Sequence, residues 1–424
     1  MNLLYRHPAF CIPDGDSVIV FLPTLFRVLR VERKTADSIS GFILDKKPLP
    51  ISRWVGLPDY TFLGTNLILT NQCNLHCIYC STDCGPAKDV VLGLEVAQAA
   101  IDYVVSCALR NNRSLVYANF FGGEPTRAWN VLTDAAVYMR ATARKNALRS
   151  RLTITTNGVF LPWQGAWLAE NIDGIMISLD GFKEIHDFHR DGSFDRVFAR
   201  AKEMYRVAPR KLRFRTTISS YSADVLPAIV EFIGENFPGC VQVYEPLFGI
   251  GRGKSAPVQA PDDDLFFNKF IEALPIARRY NARLKTSVLG LGTRDSRNFC
   301  GVAGMNFMIT PDGRVVSCNR MAEEGLNEAC SSFFFGRYNS TKNVFIFDPE
   351  AYQRLKAFHV ESIDTCRECF ARTCCKGDCV ANKAVIDPAA FWKARSYRCE
   401  ATKRFLINIL RYLLNEGRAN GLLI

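Results

Sequence analysis

Between residues 63 and 285 the chain repeats one pattern: a short apolar run, a turn, then apolar residues at three- and four-residue spacing. The apolar runs predict strands at Leu67–Thr70, Leu115–Phe121, Leu152–Thr156, Gly174–Leu179, Phe214–Ser219 and Val241–Leu247. The helical period predicts helices near 92–110, 128–146, 162–171, 194–207, 223–235 and 263–280. Strands separated by helices pair in parallel, because a helical crossover returns the chain to the same end of the sheet. Six units rather than eight predict an α/β fold built on a partial (β/α)6 TIM-type barrel. In such barrels chemistry gathers at the carboxyl ends of the strands.

The flanks follow other patterns. Ser17–Leu22 and Phe26–Val31 alternate in places and are punctuated by Pro13-Asp14-Gly15, which predicts a small β-rich extension over 1–60. After residue 290 the rhythm stops and cysteines, glycines and short segments take over. This predicts a second module held by metal rather than by a large core. A closing helix is expected at about 401–416, apolar on one side and lying on the protein surface. At 424 residues the chain exceeds the ~250–300 residues at which single cores stop growing. The expected division is an extension at 1–60, a barrel at 61–285, a cysteine-rich module at 286–400 and a terminal helix at 401–424.

Composition narrows the class. The start, Met1 to Pro8, carries Arg6 and Pro8 where a signal peptide needs its apolar stretch, and no run reaches the ~18 uncharged apolar residues of a membrane span. The expectation is a cytoplasmic protein with no membrane partner. Sixteen cysteines in such a setting read as metal-binding or catalytic rather than as disulfides. The formal charge of +11 fits a basic solvated surface or a site for an acidic peptide, and no long basic run supports nucleic acid.

The cysteines fall in two sets. Cys73, Cys77 and Cys80, spaced C-x3-C-x2-C, follow the first strand directly. Three thiolates hold three irons of a [4Fe–4S] cube, and with no fourth cysteine at matching spacing one iron keeps an open position. A structural zinc site, which takes four ligands in pairs such as C-x2-C, is the other reading of this spacing. Gly122-Gly123-Glu124, Thr156-Asn157-Gly158 and Ser178-Leu179-Asp180-Gly181 end later strands, so these polar motifs point to one mouth. Two glycines permit close approach to the backbone, and a carboxylate at a strand end accepts hydrogen bonds from an ammonium group. Arg190 follows His186 and His189 and suits a carboxylate partner; the histidines read better as satisfied loop residues.

The first set resembles the radical S-adenosylmethionine superfamily, over roughly residues 65–250. The resemblance implies that Cys73, Cys77 and Cys80 hold the reducing cluster, that its open iron is chelated by S-adenosylmethionine, and that one electron releases methionine and a 5′-deoxyadenosyl radical. It further implies that Tyr79 lies against adenine, that Gly122, Gly123 and Glu124 hold the methionine amino group, that Ser178 meets the ribose, and that Asn157, Asp180 and Arg190 lie close by. The second set is Cys300, then Gly313 with Cys318 five residues on, Cys366-x2-Cys369-x5-Cys375-x3-Cys379 and Cys399. This order resembles the SPASM domain of peptide-modifying radical enzymes, with two auxiliary [4Fe–4S] clusters. By that resemblance Cys366, Cys369, Cys375 and Cys399 ligate the outer cluster, and Cys300, Cys318 and Cys379 the inner one.

Two departures stand out. Sulfatase-maturing members carry an eighth cysteine shortly after the first, whereas Gly301–Asn306 has none; Cys330 and Cys374 are weak stand-ins, and Cys11, Cys107 and Cys240 read as buried apolar cysteines. Those members also place an aspartate base where this chain has Asn319, and a neutral amide cannot take a proton. The resulting expectation is an oxidoreductase that matures a ribosomally synthesised precursor peptide by crosslinking, epimerisation or oxidation, fed by an electron donor such as flavodoxin or ferredoxin. A sulfatase (formylglycine-generating) maturase and a zinc-stapled non-catalytic binding protein are the alternatives.

Overall fold

The computed structural model describes residues 9–22, 27–35, 58–87, 89–290, 297–323, 325 and 328–417. Much of the expected 1–60 extension, and Phe26 with it, therefore lies outside the described residues. What is described there is an antiparallel sheet of β1 (Phe10–Asp14), β2 (Ser17–Leu22) and β3 (Arg27–Glu32). Gly15, at φ +61°, takes the left-handed conformation that the tight turn between β1 and β2 requires.

The barrel strands are β4 (Gly64–Ile68), β5 (Leu115–Phe121), β6 (Arg149–Thr156), β7 (Gly174–Ser178), β8 (Leu212–Ile218), β9 (Val241–Pro246) and β10 (Arg283–Lys285). They are parallel and neighbour one another in chain order. The six expected strands are all present. The short β10 is an addition, since its Arg-Leu-Lys has no apolar run to announce it. Several strands bury alternate residues: in β8, Leu212, Phe214, Thr216 and Ile218 are buried, while Arg213, Arg215 and Thr217 are only partly so. Helices Leu94–Arg110, Trp129–Lys145, Phe194–Val207 and Asp263–Arg279 turn apolar stripes inward, among them Ala97, Ala100, Ile101 and Val104 of the first.

The sheet does not stop at the expected module boundary. β11 (Met308–Ile309) pairs in parallel with β4, and β12 (Arg314–Val316), β13 (Phe334–Asn339) and β14 (Val344–Phe347) continue it antiparallel into one eleven-stranded sheet. Phe307, Phe335 and Phe347 pack on Phe62 from the barrel side, with Phe62 and Phe307 stacked at 4.9 Å. The cysteine-rich region thus shares an aromatic core with the barrel, where a module held by metal rather than by a large core was expected.

The closing helix, Cys399–Asn415, is also less peripheral than expected. It buries Phe405, Leu406, Ile409, Leu410 and Leu413, and Phe405 stacks on Phe267 of helix Asp263–Arg279 at 4.4 Å. Arg411 bonds Asp14 at 2.8 Å, tying this helix to the N-terminal sheet. No helix among the described residues is long and apolar enough to cross a membrane.

Candidate functional site

At the carboxyl ends of β4 to β9 the chain leaves a cleft. Cys73, Cys77, Cys80, Gly122, Gly123, Asn157, Ser178, Tyr79 and Arg190 all line it, so nine of the expected site residues meet in one place. Glu124 and Asp180 do not line the cleft; both are fully buried behind it.

The cysteine loop is held from three sides. A β-carbon on Gly123 would stand 2.3 Å from the Gln72 carbonyl oxygen, and one on Gly122, at φ +152°, 2.6 Å from that of Thr70. The glycines therefore let the end of β5 lie against the chain entering the cysteine loop, where any side chain would push it away. Glu124 accepts from Thr126 N (3.2 Å), Thr126 Oγ1 (2.8 Å), Thr156 Oγ1 (2.8 Å) and Asn157 N (2.7 Å). Its carboxylate pins the ends of β5 and β6 together, with its bonding capacity used by the chain itself. Burial raises its pKa, and those hydrogen bonds oppose the rise. Asn157, thereby fixed, directs its side-chain amide to Asn74 Oδ1 (2.8 Å) and toward Cys73 Sγ (3.6 Å).

Asp180 organises the far wall. It accepts from Tyr79 Oη, from Arg190 Nε at 3.0 Å and from Thr217 N at 3.0 Å, and His189 Nδ1 lies 3.4 Å away. Burial pushes its pKa up, but the Arg190 charge together with His189 and His186 outweighs that, and the carboxyl stays well below the usual range. Tyr79 is thus anchored at its hydroxyl, with Arg190 over its ring at 5.4 Å. Arg190 Nη1 reaches toward Cys77 Sγ at 3.9 Å. His186 and His189 are fully buried and bonded, His186 to Asp180 N and Ser193 Oγ, His189 to Ser219 Oγ. They are framework residues, buried in helix Lys183–His189 rather than in the loop expected.

Four contributors escaped the sequence reading. Arg252, in the loop after β9, bonds the carbonyls of Cys77 (3.0 Å) and Cys84 (2.7 Å) and the carboxylate of Asp83 (2.8 Å), clamping the cysteine loop. Arg215, on the lumen face of β8, lines the cleft, and among the described residues its guanidinium makes no hydrogen bond or ion pair. Basic residues alternating with apolar ones in Leu212-Arg213-Phe214-Arg215 were the available signal. Arg320 reaches the cleft beside Asn319, from the segment after Cys318. Cys84 is the fourth: it lines the same cleft at 3% exposure, although no fourth cysteine was expected there. Its thiol lies 3.2 Å from Thr82 Oγ1, which in turn stands 3.6 Å from Cys80 Sγ.

The donor set fits an iron–sulfur cluster with a cosubstrate that bears a carboxylate: thiols line the cleft together with the cations of Arg215 and Arg190. Burial raises the Cys73 thiol to about 12 and the Cys77 thiol to about 11, Arg190 opposing the latter rise. Bound metal reverses that penalty, since a coordinating thiol is deprotonated. Among the described residues no three His, Cys, Asp or Glu side chains converge on a point fit for one ion.

The later cysteines form two groups. On top of burial, Cys379 and Cys318 raise the Cys300 thiol pKa and Cys379 that of Cys318, while Cys369 and Cys399 raise that of Cys366, and Cys366 and Cys369 that of Cys375. Cys330 lies instead in an apolar cluster, 3.6 Å from Met321 Sδ, and Cys374 in the main core. Cys107 and Cys240 are buried, and Cys11 is half-buried.

Comparison with known proteins agrees with this arrangement. The family model of the Radical SAM superfamily matches residues 67–220. The chain is 22% identical over 369 residues to the cysteine-type anaerobic sulfatase-maturating enzyme of Clostridium perfringens strain ATCC 13124, covering 82% of this chain and 95% of that one. The radical SAM cyclopropyl synthase TigE of Paramaledivibacter caminithermalis is 25% identical over 139 residues, 30% of this chain and 29% of that one. Among solved structures, native anSMEcpe with bound AdoMet superposes with a TM-score of 0.65 at 20% identity, covering 85% of this chain and all of that one. Streptococcus suis SuiB bound to precursor peptide SuiA superposes at 0.58 and 14% identity, covering 92% and 98%. Residues 67–220 thus match the Radical SAM superfamily, whose members use a [4Fe–4S] cluster and S-adenosylmethionine, and the chain shares the fold of these solved structures.

Proposed function

We propose that the chain is a SPASM-type maturase that reductively cleaves S-adenosylmethionine and abstracts a hydrogen atom from a residue of a ribosomally synthesised peptide. The observation that carries this reading is the meeting of Cys73, Cys77 and Cys80 with Gly122, Gly123, Asn157 and Ser178 in one cleft. When bound, the cluster and cosubstrate supply one-electron cleavage of a sulfonium and a primary carbon radical.

The chain's own residues do the rest. Cys73, Cys77 and Cys80 ligate the first cluster, and Asn157 and Arg190 place a hydrogen-bond donor and a cation beside its thiolates. Tyr79 and Ser178 border the nucleoside, and the edge at Gly122–Gly123 leaves room for the methionine. Arg215, with an uncommitted guanidinium, is better placed for a carboxylate than Arg190, whose Nε is given to Asp180. Glu124 and Asp180 hold the walls in register. Cys366, Cys369, Cys375 and Cys399 take the outer auxiliary cluster, and Cys300, Cys318 and Cys379 the inner one. A reduced flavodoxin or ferredoxin supplies the electron.

That the substrate is a peptide is supported by SuiB with its precursor peptide and by anSMEcpe with the Cp18Cys peptide. The near-complete coverage of the sulfatase-maturating relatives supports formylglycine formation as a second reading. Asn319 weighs against it, because it faces the cleft and cannot accept the proton which that chemistry releases. The test is incubation with a Cys-x-Pro-x-Arg peptide and, separately, with any short peptide encoded beside the gene. Loss of two mass units, or deuterium uptake without mass loss in water, supports maturation of that neighbouring peptide. Conversion of the first peptide to formylglycine alone overturns it.

A further inference from the structure

Cys84 belongs to no part of the barrel core. It packs with Cys73 and Leu75, and with Cys77, Cys80 and Val159 at their edge, in a small cluster of its own. The chain turns back to bring it there: Asp83 adopts the left-handed conformation, φ +49°, and Arg252 holds both the Asp83 carboxylate and the Cys84 carbonyl. The Cys84 sulfur lies 3.2 Å from Thr82 Oγ1, which is itself 3.6 Å from Cys80 Sγ. The loop therefore presents four thiols to one cleft, spaced C-x3-C-x2-C-x3-C, where three ligands suffice.

We propose that Cys84 is a reserve ligand, which binds the fourth iron of the first cluster while S-adenosylmethionine is absent and yields it when the cosubstrate arrives. This rests on the cluster assignment above. A cube with three thiolates sheds its open iron on oxidation, whereas four thiolates complete its coordination. On binding iron, the Cys84 thiol releases its proton to solvent. When the amine and carboxylate of the cosubstrate displace it, the iron–sulfur bond breaks and the thiolate takes a proton back; no electron changes hands. The exchange makes cosubstrate binding compete with an internal ligand, so the apparent affinity falls by the fraction of molecules in which Cys84 has let go.

The test uses full-length protein reconstituted anaerobically, as wild type, Cys84→Ala, Cys84→Ser and the triple variant Cys73→Ala/Cys77→Ala/Cys80→Ala. Iron content and the electron paramagnetic resonance of a three-iron cluster are read after mild oxidation, with and without S-adenosylmethionine. The inner auxiliary cluster contributes equally to each protein, so differences report the first cluster. The Ala variant is expected to form the three-iron signal without cosubstrate where wild type does not, and to match wild type with it. It is also expected to bind S-adenosylmethionine on the order of tenfold more tightly, if Cys84 is bound in about nine of ten resting molecules. Serine, a poor iron ligand that keeps the hydrogen bond, is expected to behave like alanine. Wild-type behaviour of the Ala variant in both readouts overturns the proposal, as does full rescue by serine, which reduces Cys84 to a hydrogen-bond donor. A triple variant that keeps all its iron overturns the cluster assignment instead, so the two failures are told apart.

Discussion

The carboxylate of Glu124 gives the sharpest test of how the barrel mouth is built. Replacing it by alanine leaves two buried amides, Thr126 N and Asn157 N, without their acceptor, and frees the hydroxyls of Thr126 and Thr156 to turn elsewhere. Each orphaned buried amide costs about 1–3 kcal/mol, so Glu124→Ala is expected to lose about 2–6 kcal/mol. Glu124→Gln keeps one carbonyl oxygen and sets its NH2 group against the other amide, for a loss of about 1–3 kcal/mol. The assay is anaerobic urea unfolding, paired with hydrogen exchange at residues 126 and 157, where protection should fall in the same order. Binding of S-adenosylmethionine should weaken only in step with that loosening. A Gln variant with wild-type stability and exchange but lost cosubstrate affinity refutes the reasoning, because the carboxylate would then serve the ligand and not the walls.

Other outcomes follow from single residues. Burial lowers the His186 pKa to about 4, so above pH 6.5 the imidazole is neutral both folded and unfolded, and below it only the unfolded chain gains a proton. Stability is expected to fall by about 3 kcal/mol as pH drops from 6.5 to 4, and His186→Gln should remove that slope from the pH profile of urea midpoints. Arg252→Ala should release the cysteine loop and lower iron content by up to about four per chain, with the auxiliary clusters retained; unchanged iron would show that the clamp is dispensable. Phe405→Ala removes a fully buried ring stacked on Phe267 and should cost about 3–5 kcal/mol, read as a lower unfolding midpoint.

Much of this molecule was legible in its sequence because its signals are local. The six strands and the helices at 162–171 and 194–207 rest on runs and periods within single segments, and the structure reproduces them. The gathering of Cys73, Gly122, Asn157 and Ser178 followed from one rule about strand ends. What escaped depends on distant partners. β11 pairs with β4 across more than 200 residues of chain, and two-residue Met308–Ile309 carries no strand signal of its own. Arg252 reads as a surface residue until the cysteine loop is laid against it. Glu124 was expected to face a ligand because a carboxylate at a strand end is free in sequence; Thr156 and Asn157, from the next unit, take its bonding capacity. Cys84 was passed over as outside the three-cysteine spacing, yet the left-handed Asp83 folds it back beside Cys80.

The central claim, that Cys73, Cys77 and Cys80 hold the cluster that cleaves S-adenosylmethionine, is tested most directly by one paired measurement. Iron content and 5′-deoxyadenosine release are measured after anaerobic reconstitution and reduction, in wild type and in the triple alanine variant of those cysteines. The expected result is about twelve irons per chain with 5′-deoxyadenosine formed in wild type, and about eight irons with none formed in the variant. Uptake of zinc alone by the wild type, or cofactor cleavage that survives in the variant, would contradict it.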